Sequence, residues 1–104
     1  MQYDQQANGK IISPQVGDEF QIILPETRTA GYRWSITQKG GPACELLHDQ
    51  SDPNPGAAGG SGTHAWHFKA ASSGTGKIQL DYRRSWKSEA APEQTFTMEV
   101  HVRP

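Results

Sequence analysis

The chain has 104 residues, 11 Gly, 7 Pro and a formal net charge of −1 at pH 7. This length suits a single domain over residues 1–104, and the near-neutral charge offers no broad attraction to nucleic acid or an anionic membrane. The one cysteine, Cys44, excludes an intramolecular disulfide. No signal peptide is visible at the N terminus, and no apolar run reaches membrane-spanning length. We therefore expect a domain that binds neither nucleic acid nor a membrane.

Apolar residues recur at every second position in five segments, which is typical of strands with one buried and one solvated face. In chain order the segments are Phe20–Leu24, Tyr32–Ile36, Trp66–Ala70, Ile78–Tyr82 and Phe96–Val102. A short strand at Ile11–Ile12 and a weaker one at Cys44–Leu47 complete the set. Polar turns separate these runs, so the sequence predicts an all-β, antiparallel sandwich or barrel of about seven strands. Trp34 and Trp66 fall on the buried parity and are assigned to the core.

Two connections are longer than a fold of this size needs. One runs from Asp49 to Thr63 and is rich in Gly and Pro, and the other runs from Arg83 to Glu93 and carries Trp86 among polar residues. Long loops in compact domains are commonly functional or disordered. The position of Trp86 outside any strand pattern indicates a binding function for the second connection, with a cover over the end of the sandwich as the alternative.

The residues that could support catalysis or metal binding form no known signature. Cys44 has no catalytic motif around it and is expected to be a small buried hydrophobe. His64 and His67 are three residues apart, a spacing that sends their side chains to opposite faces of a strand. We expect four surface or edge histidines, with His48 and His101 as the other two. No metal site, no cofactor and no enzymatic activity are predicted, and a binding module is favoured.

Three segments taken together resemble the chagasin family of cysteine protease inhibitors, over roughly residues 14 to 102. Thr27–Gly31 stands where the family has Asn-Pro-Thr-Thr-Gly before an aromatic residue and a Trp. Gly60–Gly62 matches a Gly-x-Gly loop, and Arg84–Trp86 matches Arg-Pro-Trp. The candidate protease-binding residues are Thr27, Arg28, Thr29, Ala30, Gly31, Gly60, Ser61, Gly62, Arg84, Ser85 and Trp86. Departures from the family pattern are Thr27 for Asn, Arg28 for Pro, Ala30 for the second Thr and Ser85 for Pro.

The resemblance implies an immunoglobulin-like sandwich of seven to eight strands whose three loops enter the cleft of a papain-like cysteine protease. It implies reversible, competitive inhibition by a monomer without a cofactor. Thr29 would approach the catalytic thiolate, Gly60–Gly62 would lie along the substrate subsites, and Trp86, supported by Arg84, would pack on the opposite side of the cleft. A periplasmic or secreted location is compatible with the family.

Two other readings remain open at this point. An immunoglobulin-like adhesion or assembly module would bind through a sheet face or edge rather than through the loops. An enzyme using Cys44 would require a reactive thiol. Fold alone does not decide among these functions.

Overall fold

The computed structural model describes residues 1–27, 30–53, 62–84, 86 and 91–104. Within these ranges eight strands form two four-stranded sheets that enclose one hydrophobic core. The strands are β1 (Gln2–Tyr3), β2 (Lys10–Ile12), β3 (Glu19–Glu26), β4 (Tyr32–Lys39), β5 (Cys44–Pro53), β6 (Gly62–Ala70), β7 (Gly74–Arg84) and β8 (Gln94–Val102). The helical structure in this part of the chain is a 3₁₀ turn at Gln5–Ala7, and no helix there is long and apolar enough to cross a bilayer.

One sheet has the strand order β1-β3-β6-β5 and the other has the order β2-β8-β7-β4. The six long strands pair antiparallel, which confirms the predicted all-β, immunoglobulin-like sandwich. The two short N-terminal strands differ from the expectation, because β1 pairs with β3, and β2 with β8, in parallel. Each is two or three residues long and joins an outer edge, so its direction leaves no trace in the apolar alternation of the sequence.

The core is formed mainly by the residues on the buried parity of the long strands, as the period-two pattern predicts, together with Ala7 and Ala43. Trp34 and Trp66 are both buried, and so is Cys44. The largest fully buried apolar side chains are Phe68, Phe96, Ile22, Leu24, Ile78, Leu80, Met98 and Val100. Burial of each such side chain stabilises the fold by about 1.5–3 kcal/mol relative to exposure.

Strand β5 is longer than the sequence indicated. It continues past Leu47 to Pro53 and pairs with β6 along its whole length, with a register shift between Leu46 and His48. Beyond this bulge the inward positions are occupied by Asp49 and Ser51 rather than by apolar residues. The apolar alternation therefore stops while the strand continues, which is why the sequence predicts a loop over Asp49–Pro53.

Candidate functional site

Three connections between strands meet at one end of the sandwich, as the strand register requires. Gly62 at the start of β6 lies between Glu26 at the end of β3 and Pro53 at the end of β5. In the other sheet, Tyr32 at the start of β4 pairs with Arg84 at the end of β7. The connections β3–β4, β5–β6 and β7–β8 therefore share this end, which we call the loop end. They are the segments that carry the predicted protease-binding residues.

The first connection is closed by backbone hydrogen bonds into a compact turn. The carbonyl oxygen of Thr27 accepts from the N–H groups of Ala30 (3.2 Å) and Tyr32 (3.3 Å). The Thr27 N–H donates to the hydroxyl of Tyr82 (2.9 Å), which anchors the turn to the opposite sheet. Arg28 and Thr29, the remaining predicted contacts of this connection, lie outside the described residues.

Gly31 closes the turn in a conformation that favours glycine, with φ +85°. The indole of Trp86 lies directly against its Cα, so that a Cβ at this position would overlap Cζ3 of the indole and lie 2.6 Å from Cη2. Glycine is therefore required twice here, once for the backbone angle and once for the contact. The structure thus brings the first and third connections together at two of the predicted residues.

Trp86 is 63% exposed, and its sequence neighbours Ser85 and residues 87–90 lie outside the described part of the chain. Most of the indole faces solvent rather than the core, which argues against the alternative that Trp86 covers the end of the sandwich. An exposed Trp rests on a glycine at the loop end, and large aromatic side chains of this kind are typical anchors of protein interfaces.

A ladder of aromatic rings links Trp86 to the core through Arg84. The Tyr82 ring stacks on Tyr32 (centroids 5.0 Å apart) and lies tilted against Trp34 (4.6 Å). The Arg84 guanidinium lies 5.2 Å from the centre of the Tyr32 ring and 5.8 Å from that of Trp86. Cation–π contacts of this kind contribute about 0.5–1 kcal/mol at exposed sites.

Hydrogen bonds fix the position of Arg84 in this ladder. Its Nε donates to the Tyr32 hydroxyl (3.1 Å), which in turn donates to Oε1 of Glu93 (3.1 Å). Tyr32 and Glu93 are thus supporting residues that the sequence analysis did not single out. Tyr32 is the aromatic residue that follows the Thr27–Gly31 segment, so the sequence indicated its position. Its partner Glu93 could not be predicted, because the pairing depends on the strand register.

The second connection is described only at its ends. Gly60 and Ser61 lie outside the described residues, whereas Gly62 is the first residue of β6 and pairs with strands on both sides. Gly62 had been placed within a loop running to Thr63, and this assignment was wrong by two residues because β6 begins earlier. The close approach of two flanking strands suits a residue without a side chain.

A cluster of polar side chains lies just below the first and second connections. The ring of His64 is between two carboxylates, with Nδ1 3.1 Å from Oε2 of Glu26 and Nε2 2.7 Å from Oδ2 of Asp49. The Ser51 hydroxyl donates to Oε1 of Glu26 (3.3 Å), and the backbone N–H of Trp34 donates to Oε2 (2.9 Å).

The burial of His64 corrects the expectation of four surface or edge histidines. His67 is on the opposite face of β6, as the three-residue spacing predicted. The alternation along the strands could have predicted this burial. Glu26 lies two residues after the buried Leu24, and His64 lies two residues before the buried Trp66.

The one cysteine of the chain does not lie at the loop end. Cys44 is near the other end of β5, and burial raises the pKa of its thiol, which disfavours the reactive thiolate. In the described ranges, no three His, Cys, Asp or Glu side chains are grouped so as to hold a metal ion. The position and burial of Cys44 thus do not support the alternative of an enzyme that uses this thiol.

Comparison with known proteins gives consistent matches over nearly the whole chain. A model of the chagasin family of peptidase inhibitors matches residues 13–100. Amoebiasin-1 of Entamoeba histolytica is 32% identical over 95 residues, covering 91% of this chain and 92% of its own. Chagasin of Trypanosoma cruzi is 26% identical over 96 residues, covering 88% and 87%.

The fold comparison points the same way. The crystal structure of a cysteine protease inhibitor from Entamoeba histolytica superposes with a TM-score of 0.82, at 22% identity, over 98% of this chain and 93% of its own. At that identity the match establishes the fold alone. The family model, which spans most of the sequence, establishes more: this chain belongs to the chagasin family of peptidase inhibitors, which are not enzymes.

Proposed function

We propose that the protein is a reversible, competitive inhibitor of papain-family cysteine proteases and inserts its loop end into their active-site cleft. The observation that carries the proposal is the exposed Trp86 held against Gly31, where the first and third connections converge beside the second. The matched family consists of peptidase inhibitors, which supports the class of partner.

The first connection, Thr27–Gly31, would face the catalytic Cys–His pair. Its hydrogen bonds from Ala30 and Tyr32 to the Thr27 carbonyl hold the backbone in a turn. Cleavage needs a peptide bond aligned with the nucleophile in a near-attack geometry, and a closed turn resists that alignment. In the complex, the Thr29 hydroxyl would lie near the thiolate. The enzyme would thus be blocked without cutting its inhibitor.

The second and third connections would contact the walls of the cleft on either side. Gly60, Ser61 and Gly62 would lie extended along the substrate subsites and pair main chain to main chain, as in strand addition. Trp86, with Ser85 beside it, would pack on the opposite wall, supported by Arg84. Because Arg84 and Tyr32 fix Trp86 before binding, less ordering free energy is lost on association.

The test is steady-state inhibition of papain and of a cathepsin-L-type enzyme by the wild type, Trp86→Ala and Thr29→Ala. Removing a Trp anchor costs about 2 kcal/mol or more, so Trp86→Ala is expected to raise Ki by about 30-fold. Ile11→Ala is the matched control, because Ile11 is 57% exposed but lies on β2, away from the loop end. Its Ki should equal that of the wild type.

Substrate competition and recovery of activity on dilution test whether inhibition is competitive and reversible. Failure of the folded wild type to inhibit either enzyme at micromolar concentration would overturn the proposal. An adhesion or assembly module would then be the better interpretation, and its binding would be insensitive to Trp86→Ala.

A further inference from the structure

The polar cluster around His64 has no part in the proposed contact with the protease, yet its burial has an unfavourable free energy. The side chains of Glu26 and His64 are 1% and 10% exposed, and only Asp49, at 51%, is well solvated. Burial of polar and ionised groups is unfavourable unless each has a partner. A sandwich core of this size could have used apolar residues at these positions, so the cluster calls for an explanation.

The hydrogen-bond geometry of His64 accommodates a proton on each ring nitrogen. A neutral imidazole has one N–H, but both ring nitrogens are within hydrogen-bonding distance of carboxylate oxygens, at 3.1 Å and 2.7 Å. Ionised carboxylates only accept, so the arrangement is satisfied when both ring nitrogens donate, that is, when the imidazolium is present. The ring also stacks on Trp66 with centroids 4.0 Å apart, which favours a cation over the indole face.

The strands that this proton joins are those that end at the loop end. Glu26 is the last residue of β3, before the first connection, while Asp49 and His64 flank the second connection on β5 and β6. Glu26 also holds the backbone N–H of Trp34 on β4, beyond the first connection. The titratable groups that hydrogen-bond the ring are Glu26 and Asp49, from the strands on either side of β6.

Ser51, His64 and Asp49 are the residue types of a nucleophilic triad, but the geometry does not support that function. The Ser51 hydroxyl is 3.3 Å from Nδ1 of His64, whereas Glu26 is closer to the same nitrogen, at 3.1 Å. When both ring nitrogens carry a proton and donate to the carboxylates, no lone pair remains to accept a proton from Ser51. The cluster therefore acts on structure rather than on a substrate.

We propose that His64 is a positioning residue: with a proton on each ring nitrogen it donates to Glu26 and Asp49 and holds together the strand ends below the first and second connections. Protease binding is then tighter in acid than at neutral pH. This inference rests on the proposed inhibitory function. When the proton is lost, one ring nitrogen presents a lone pair to a carboxylate, and that contact becomes repulsive. The free energy then favours separation of the strand ends, and the loops lose preorganisation.

The direction of the pH effect follows from proton linkage. A contact that needs both ring nitrogens protonated takes up a proton on folding, and histidine side chains in general exchange that proton over about pH 5 to 8. Stability from the cluster is therefore present in mild acid and declines as the pH rises. The same linkage applies to the complex if the protease requires the clamped loops.

Asp49→Asn is the decisive variant. The asparagine amide donates to Nε2 while a neutral His64 donates from Nδ1 to Glu26, so every contact is kept without the additional proton. Asp49 is half exposed on the edge strand β5, so the substitution should leave the fold intact. His64→Gln removes the titrating ring, and His48→Gln, on the solvated face of the neighbouring strand, is the matched control.

Urea unfolding and Ki against papain are measured for the four proteins at pH 5.5 and pH 7.5. Taking each value relative to Asp49→Asn at the same pH removes the titration of the protease itself. We expect the relative Ki of the wild type and of His48→Gln to rise by about tenfold between the two values of pH, and their relative urea midpoints to fall. His64→Gln should unfold at lower urea and show neither change.

Nitrogen-15 NMR of the His64 ring provides a readout that is independent of inhibition, because it reports a proton on each ring nitrogen. Parallel profiles for the wild type and Asp49→Asn, with a neutral ring at pH 5.5, would overturn the inference. A pH-dependent urea midpoint with a flat relative Ki would overturn the coupling to the loops and leave the proposed function intact. Absence of inhibition at both pH values would overturn the proposed function and the binding half of this inference, while the urea series would still test the clamp.

Discussion

Gly31→Ala is expected to abolish most of the inhibition while costing little more stability than an ordinary glycine substitution. Gly31 has φ +85°, and in this left-handed region a Cβ costs about 1–2 kcal/mol. The added methyl would also overlap the Trp86 ring, which must move away. Because Trp86 is 63% exposed, its displacement loses few core contacts, and the additional cost falls on binding.

The expected change in Ki follows from the role of Trp86 as an anchor of the interface. Loss of a Trp anchor is worth about 2 kcal/mol or more, which is about 30-fold in Ki. The assay is steady-state inhibition of papain, with urea unfolding of the same preparations. A total loss of about 1–2 kcal/mol is tolerable for a domain whose free energy of unfolding is about 5–15 kcal/mol.

Gly17→Ala provides the matched control for backbone strain. Gly17 has φ +98°, a Cβ there would meet nothing within 4 Å, and it precedes β3 at the end of the sandwich opposite the loop end. Both variants should lose similar stability, but only Gly31→Ala should lose inhibition. If their Ki values agreed within about twofold while both showed the expected loss of stability, the position of Trp86 would be irrelevant to binding and the reasoning would be refuted.

Three further results are expected. Tyr32→Phe removes the hydroxyl between Arg84 and Glu93 and should cost about 1 kcal/mol in urea unfolding, and it should also raise Ki because Arg84 holds Trp86 less firmly before binding; an unchanged Ki would contradict this support of Trp86. Cys44 should react with iodoacetamide at pH 8 far more slowly in the folded protein than in urea, because burial raises the pKa of its thiol; equal rates would exclude that burial. Phe68→Ala, at a fully buried site, should cost about 3–5 kcal/mol in urea unfolding.

The apolar alternation determined the strands and the core of this protein. Phe20, Ile22 and Leu24 show the rule, because a half-buried strand must place an apolar side chain at every second position, and this periodicity is local to the sequence. The same rule assigned Trp34 and Trp66 to the core. The resemblance to chagasin-type inhibitors then indicated which connections to consider as a site.

The apolar alternation cannot identify polar residues that are buried. Asp49 and Ser51 occupy inward positions of β5, but their polarity hid the strand, and the bulge after Leu46 shifted its register. The sequence predicts a surface position for His64, because the identity of a histidine does not by itself indicate burial. A polar residue on the buried face of a strand can be recognised only from its hydrogen-bond partners, and these are distant in the sequence.

Only the tertiary structure decided which residues meet at the loop end. The contact of Trp86 with Gly31, the stack of Tyr82 on Tyr32 and the bridge of His64 to Glu26 all join different strands or connections. Such contacts depend on sheet order and register, which no local pattern specifies. The amino-acid sequence by itself determined the alternation that makes a sandwich, since side-chain burial follows from local period; the juxtaposition of its loops came from the pairing of strands far apart in the chain.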